Sequence, residues 1–138
     1  FLKRHKIGAT YYRGKDETQK REIVGPWFIL SFTKDFYLMT EAFYQDKYNL
    51  DSEIRSKGYV NTNRLSYQVV KGVIPFVAAE ASQTDWTSDA SKRQSYGAGL
   101  QFFPRPHLEL MATYQRDRYY IDDGYFSDLY WLMLNYYL

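Results

Sequence analysis

The stretch Tyr130-Trp131-Leu132-Met133-Leu134-Asn135-Tyr136-Tyr137-Leu138 decides how the rest of the chain is read. Counting back from Leu138, every second residue (Tyr136, Leu134, Leu132, Tyr130) is apolar or aromatic, and the set between them holds Asn135, Met133 and Trp131. Side chains alternate between the two faces of a strand, so this segment is a strand with one greasy face and one mixed face. Such a strand belongs either at a lipid boundary or over a core, and the remainder of the chain discriminates between the two.

Working back from that strand, period-two alternation recurs almost throughout. It predicts an all-β chain of about eight strands, near 6–13, 22–32, 36–46, 58–70, 74–84, 93–103, 107–118 and 128–138. Each is close to the roughly 9–11 residues a tilted strand needs to cross a bilayer. The best helical candidate, Leu50 to Lys57, is short and polar and is read as loop. Tight turns at Thr33-Lys34-Asp35, Lys71-Gly72-Val73 and Pro104-Arg105-Pro106 alternate with longer polar connections at 14–21, 47–57, 83–92 and 119–127. An antiparallel up-and-down transmembrane β-barrel, with short periplasmic turns and longer extracellular loops, has this rhythm.

Facing sets follow from the alternation. Outward come residues such as Tyr11, Phe28, Leu30, Phe36, Leu38, Thr40, Tyr44, Leu65, Val77, Leu100, Leu110 and the terminal set, without a single charge. The mid-strand charges fall on the other face, which carries Glu41, Arg64, Glu80 and Glu109 with Gln68, Gln101 and Asn135. An Arg or Lys on a lipid face costs about 2–4 kcal/mol at the midplane, so segregation of this kind is what a membrane wall requires. The outward aromatics gather at strand ends. Phe32, Phe36, Phe102 and Tyr136 lie near the short-turn rim, and Tyr11, Tyr44, Tyr96, Tyr114 and Tyr130 near the other. Two aromatic girdles match the two interfaces of a bilayer.

Composition agrees. Of 138 residues, enough for one domain or one piece of one, 20% are aromatic and 15 are tyrosines, side chains suited to half-apolar, half-wet surroundings. The mean hydropathy of −0.57 is no obstacle, since only alternate residues of a barrel strand meet lipid. With no cysteine, disulfides and thiolate sites are excluded. A net charge of +2 gives no footprint for nucleic acid. The start at Phe1-Leu2, with neither signal peptide nor initiator Met, reads as a processed or excised chain, so 1–138 is a single barrel domain or the C-terminal portion of a larger one.

The terminal strand and the hairpin Ser95-Tyr96-Gly97-Ala98-Gly99-Leu100-Gln101-Phe102-Phe103-Pro104-Arg105-Pro106-His107-Leu108-Glu109-Leu110-Met111-Ala112-Thr113-Tyr114 together resemble the last strands of porin-like bacterial outer-membrane β-barrels. In those barrels a Gly-rich strand, a Pro-containing turn and a Leu-x-Leu-x-x-x-Tyr strand recur. The resemblance covers about the last third of the chain. It implies a bacterial outer-membrane location, contact with outer-membrane lipid and lipopolysaccharide, and insertion by the barrel assembly machinery. The last implicates Tyr130, Leu132, Leu134, Tyr136 and Leu138 as an assembly signal. Leu138 stands where the family most often has Phe.

Residues for chemistry are sparse. The two histidines, His5 and His107, are far apart, and no nucleophile, phosphate-loop or dinucleotide motif occurs, so neither an enzyme nor a cofactor is expected. The notable constellation is Glu41, Arg64 and Glu80. Counted up from the short-turn rim they reach similar heights on three consecutive strands, which places Arg64 between two carboxylates as internal glue or as a constriction. Basic residues Lys15, Lys20, Arg21, Lys47, Lys57, Arg116 and Arg118 gather at the long-loop rim, where lipopolysaccharide phosphates would lie, interspersed with acids. Three functions stay open: a porin-like barrel passing small polar solutes or ions, a homo-oligomer being one possible state; a closed eight-stranded barrel serving as a structural or adhesive anchor; and a soluble lipocalin-like ligand-binding barrel.

Overall fold

In the computed structural model, residues 5–121 and 124–137 are described. Eight strands follow one another: β1 (Lys6–Lys15), β2 (Gln19–Ser31), β3 (Phe36–Asn49), β4 (Arg55–Tyr67), β5 (Val73–Gln83), β6 (Lys92–Arg105), β7 (Leu108–Tyr119) and β8 (Tyr125–Tyr136). They form one antiparallel sheet in chain order, an up-and-down meander whose edges are β1 and β8. The sheet is not closed edge to edge. Among the described residues the one helical turn is a 3-10 segment at Asp89–Ser91.

The strands run further than the apolar alternation alone indicates, chiefly at one rim. Gly14 pairs with Arg21 and Lys47 with Ser56, and Tyr119 pairs with Tyr125. A backbone ladder needs only unpaired N–H and C=O groups, so charged residues extend it as readily as apolar ones. Connections at that rim are correspondingly trimmed to 16–18, 50–54, 84–91 and 120–124. At the opposite rim they are 32–35, 68–72 and 106–107. The third of these is displaced from the expected Pro104-Arg105-Pro106: Pro104 and Arg105 stay in β6 beside a register shift, and the turn falls on Pro106 and His107, the latter at φ 68°. In β2 the pairing with β3 lapses at Gly25 and Pro26. Proline has no N–H to give the ladder.

The 16–18 turn is held by one carboxylate. Asp16 Oδ1 accepts the backbone N–H of Thr18 (2.8 Å) and of Gln19 (2.7 Å). These bonds, Thr18's first, hold the Asp16 carboxyl below its ordinary pKa. A depressed carboxylate contributes stability that is complete above its unfolded-state pKa and is lost as pH falls through the folded one. Hydrogen-exchange protection of the Thr18 and Gln19 amides is therefore expected to hold from neutral pH down to about pH 4 and to fall below it; protection that is flat across this range would contradict the assignment.

One face of the sheet is concave. A hollow of about 440 Å³ touches Lys6 of β1, Met39 of β3, Arg64 of β4 and Gln101 of β6, strands that are not all neighbours, so the sheet bends round this side. Ser66, Ser95, Glu109 and Asp117, all on this face by register, are buried, and among the described residues Phe76 is the only buried apolar side chain. The convex face carries Ile7, Tyr11, Val77, Tyr96, Leu100, Leu132 and Leu134, all exposed. Among the described residues, then, burial is mainly of polar side chains on the concave side, and most of the exposed large apolar side chains lie on the convex one.

Candidate functional site

The concave wall is organised by two hydrogen-bonded clusters. The first begins at Arg64 on β4. Its Nη2 donates to Gln101 Oε1 (2.7 Å), its Nε to Ser66 Oγ (3.2 Å), and its guanidinium carbon lies 3.8 Å from the centre of the Phe76 ring. Gly99 makes this seat possible, because a Cβ there would run into the Phe76 ring and the Ala112 carbonyl. Gln101 Nε2 in turn donates to Glu109 Oε1 (2.5 Å). The other oxygen of Glu109 accepts Asn135 Nδ2 (3.1 Å) and the hydroxyl of Tyr137. A single polar chain thus ties β4 to β6, β7, β8 and the residue just past β8.

The second cluster lies nearer the opposite rim. Arg93 on β6 reaches Glu80 Oε1 on β5 (3.3 Å) and Asp117 Oδ2 on β7 (3.4 Å). Asp117 also accepts Gln115 Nε2 (2.7 Å) and the hydroxyl of Tyr119 (3.2 Å). Between the clusters is a hollow of about 220 Å³ bordered by Arg64, Phe76, Glu80, Met111 and Trp131.

Glu41, Arg64 and Glu80 share the concave face, yet they do not form the expected triad. In register Glu41 is level with Thr62, and Thr62 with Glu80, while Arg64 is level with Met39 and Ala78, two residues nearer the short-turn rim. Heights counted from the turns miss this because the stagger between strands depends on how each turn is closed. Arg64 therefore serves Gln101 and Phe76, and Glu80 takes Arg93 instead. Among the described residues no cation lies within ion-pair distance of Glu41. Gln68 falls beyond the end of β4 in the 68–72 turn, where its N–H donates to the Asp35 carbonyl (2.8 Å). Gln101, Glu109 and Asn135 are brought together.

Alternation reached Gln101 and Glu109 and put Arg93 and Asp117 inside strands 93–103 and 107–118 without giving them partners, and it left Tyr119 in the 119–127 connection. All three are in phase with Gly97 and Gln115, and carrying that parity out to the strand ends is the signal that places them on the concave face. Missed on the convex face was a polar ladder at mid-strand. Thr40 Oγ1 donates to Asn63 Oδ1 (2.9 Å), Asn63 Nδ2 to Asn61 Oδ1 (2.6 Å), and Asn61 Nδ2 to the Glu41 carbonyl (3.1 Å). Asn61 and Asn63 are in phase with Leu65, which is the signal that places them outside.

The convex aromatics meet in pairs at both ends of the strands. Phe36 lies 5.1 Å from Phe32 and 6.2 Å from Tyr67 between ring centres at one end. Tyr114 lies 5.0 Å from Tyr130 at the other. Tyr11, Tyr96, Phe102 and Tyr136 are exposed on the same face. Trp86, from the 84–91 connection, places its ring 5.4 Å from that of Tyr44 and its backbone N–H donates to the Lys57 carbonyl, adding a ring that alternation could not foresee. Leu138 lies outside the described residues. No group of three His, Asp or Glu side chains that could hold a metal occurs among the described residues. Comparison with protein-family models, with curated proteins and with solved structures finds no match to this chain.

Proposed function

We propose that this chain is the wall of a porin-like β-barrel in a bacterial outer membrane, passing small polar solutes or ions along its concave face. The observation that carries the reading is the inverted partition: along the middle of the strands the exposed convex face is largely apolar and aromatic, and the mid-strand charges are gathered on the concave side. A soluble ligand-binding barrel would need the reverse. In hydrocarbon the unpaired backbone groups of β1 and β8 would each cost several kcal/mol, so these edges pair with one another or with further strands of the same wall.

A closed eight-stranded anchor is the second reading, favoured by Leu129, Trp131 and Met133 on the concave face of β8. All three are exposed in the open sheet, and closure would cover them. An interior of eight strands is just wide enough for such side chains. Planar-bilayer recording separates the two. The porin-like reading expects discrete conductance steps, and Arg93→Ser, which leaves Glu80 and Asp117 without their cation, shifts selectivity toward cations. Inserted protein that gives no steps removes the pore and leaves the anchor.

A further inference from the structure

The hollow of about 440 Å³ on the concave face is lined by two cations and, among the described residues, by no Asp or Glu. The register puts Lys6, Ile29, Met39 and Arg64 on one level across β1 to β4. The cations stand at the two ends of that level, and Ile29 and Met39 make an apolar floor between them. At about 4.8 Å per strand the α-carbons of Lys6 and Arg64 are ~14 Å apart along the sheet. The bend of the sheet and the length of both side chains bring them to the same hollow. Tyr37, two residues nearer the short-turn rim, borders it as well.

Neither cation is neutralised in place. Among the described residues no carboxylate lies within ion-pair distance of Lys6 or Arg64. Lys6 is exposed, but Arg64 is half-buried. The partners that fix Arg64 are neutral: Ser66 Oγ, Gln101 Oε1 and the Phe76 ring. Glu109 is reached only through Gln101, and its oxygens already accept from Gln101, Asn135 and Tyr137. A guanidinium partly withdrawn from water without a counter-ion is costly. Held by three anchors, it is also pre-organised for an anion that arrives from outside, and among the described residues its Nη1 has no hydrogen-bond partner.

We infer that this hollow binds a short aliphatic dicarboxylate, with one carboxylate on Arg64, the other on Lys6, and the methylenes between them over Ile29 and Met39. Both ends make charge-assisted hydrogen bonds, and the planar guanidinium suits a carboxylate in particular. The inference rests on the porin-like reading and deepens it, naming the class of solute that pauses on the concave wall. A conducting site must also release what it holds, so the binding is weak and reversible.

The test uses the full chain in detergent micelles, with succinate and acetate titrated by ligand-observed nuclear magnetic resonance. Wild type is expected to bind succinate about tenfold more tightly than acetate, since the second carboxylate adds one charged pairing. Lys6→Gln is expected to remove that preference and leave acetate unchanged, and Arg64→Gln to weaken both. Lys6 is exposed on an edge strand, so its variant keeps the test alive even where Arg64→Gln unfolds. Lys34→Gln takes a cation from the 32–35 turn, at the same rim but outside the hollow, and is expected to change neither affinity. Equal binding of the two ligands by wild type, a preference that survives Lys6→Gln, or an equal loss in Lys34→Gln overturns the proposal. In planar bilayers succinate is expected to interrupt the chloride current of wild type more than that of Lys6→Gln. Succinate preference without conductance removes the pore and keeps the site, whereas conductance without that preference removes the site alone.

Discussion

Replacing Glu109 with Ala is expected to unfasten the C-terminal strand. The carboxylate is 4% exposed and accepts from three donors, Gln101 Nε2, Asn135 Nδ2 and the Tyr137 hydroxyl. A hydrogen bond to a charged group is worth about 1.5–3 kcal/mol, and the three share one acceptor group, so their combined loss is set at about 3–5 kcal/mol rather than their sum. The effect concentrates on β8, an edge strand laddered on one side only. Chemical unfolding in detergent micelles measures it. Glu109→Gln keeps an acceptor toward Gln101 but turns an amide toward two former donors, and is expected to cost about half as much. A Glu109→Ala midpoint within experimental scatter of the wild type would show that the polar chain from Arg64 to Tyr137 does not hold the wall together.

The second large effect comes from two adjacent residues of β8 that face opposite ways. Leu132 is 79% exposed on the convex face, and Met133 is 38% exposed on the concave one. In water, arginine at either position is close to neutral, as surface substitutions usually are. In a bilayer, Leu132→Arg costs about 2–4 kcal/mol if that face meets hydrocarbon, while Met133→Arg, toward a polar interior, costs about 1 kcal/mol or less. The comparison is made by refolding both variants into lipid vesicles. Equal costs would remove lipid from the convex face, and the porin-like reading with it.

How far residues alone carried this reading can be followed at particular positions. Tyr130 to Tyr136 showed a strand with a greasy face, and the same period found each of the other strands, because side-chain direction in a strand is a local consequence of the backbone pleat. That is why Leu132 and Met133 were assigned to opposite faces correctly, and why Gln101, Glu109 and Asn135 were grouped on one face before any partner was known. The boundaries were less visible at the rim, where Lys15, Lys20 and Lys47 extend the ladders without any apolar signal.

Pairing was another matter. Glu41, Arg64 and Glu80 were on the right face but at the wrong relative height, since Arg64 is level with Met39 and Ala78. Arg93 was placed at the start of a strand with no partner assigned although it bridges Glu80 and Asp117, and Trp86 gave no sign that it would reach Tyr44. The sequence by itself determined the strand count, the faces and the inverted partition of polarity, all of which repeat every two residues. Only the tertiary structure decided which charges meet, because stagger between strands and the curvature that brings β4 to β6 are set by turn closure and by packing across the whole sheet.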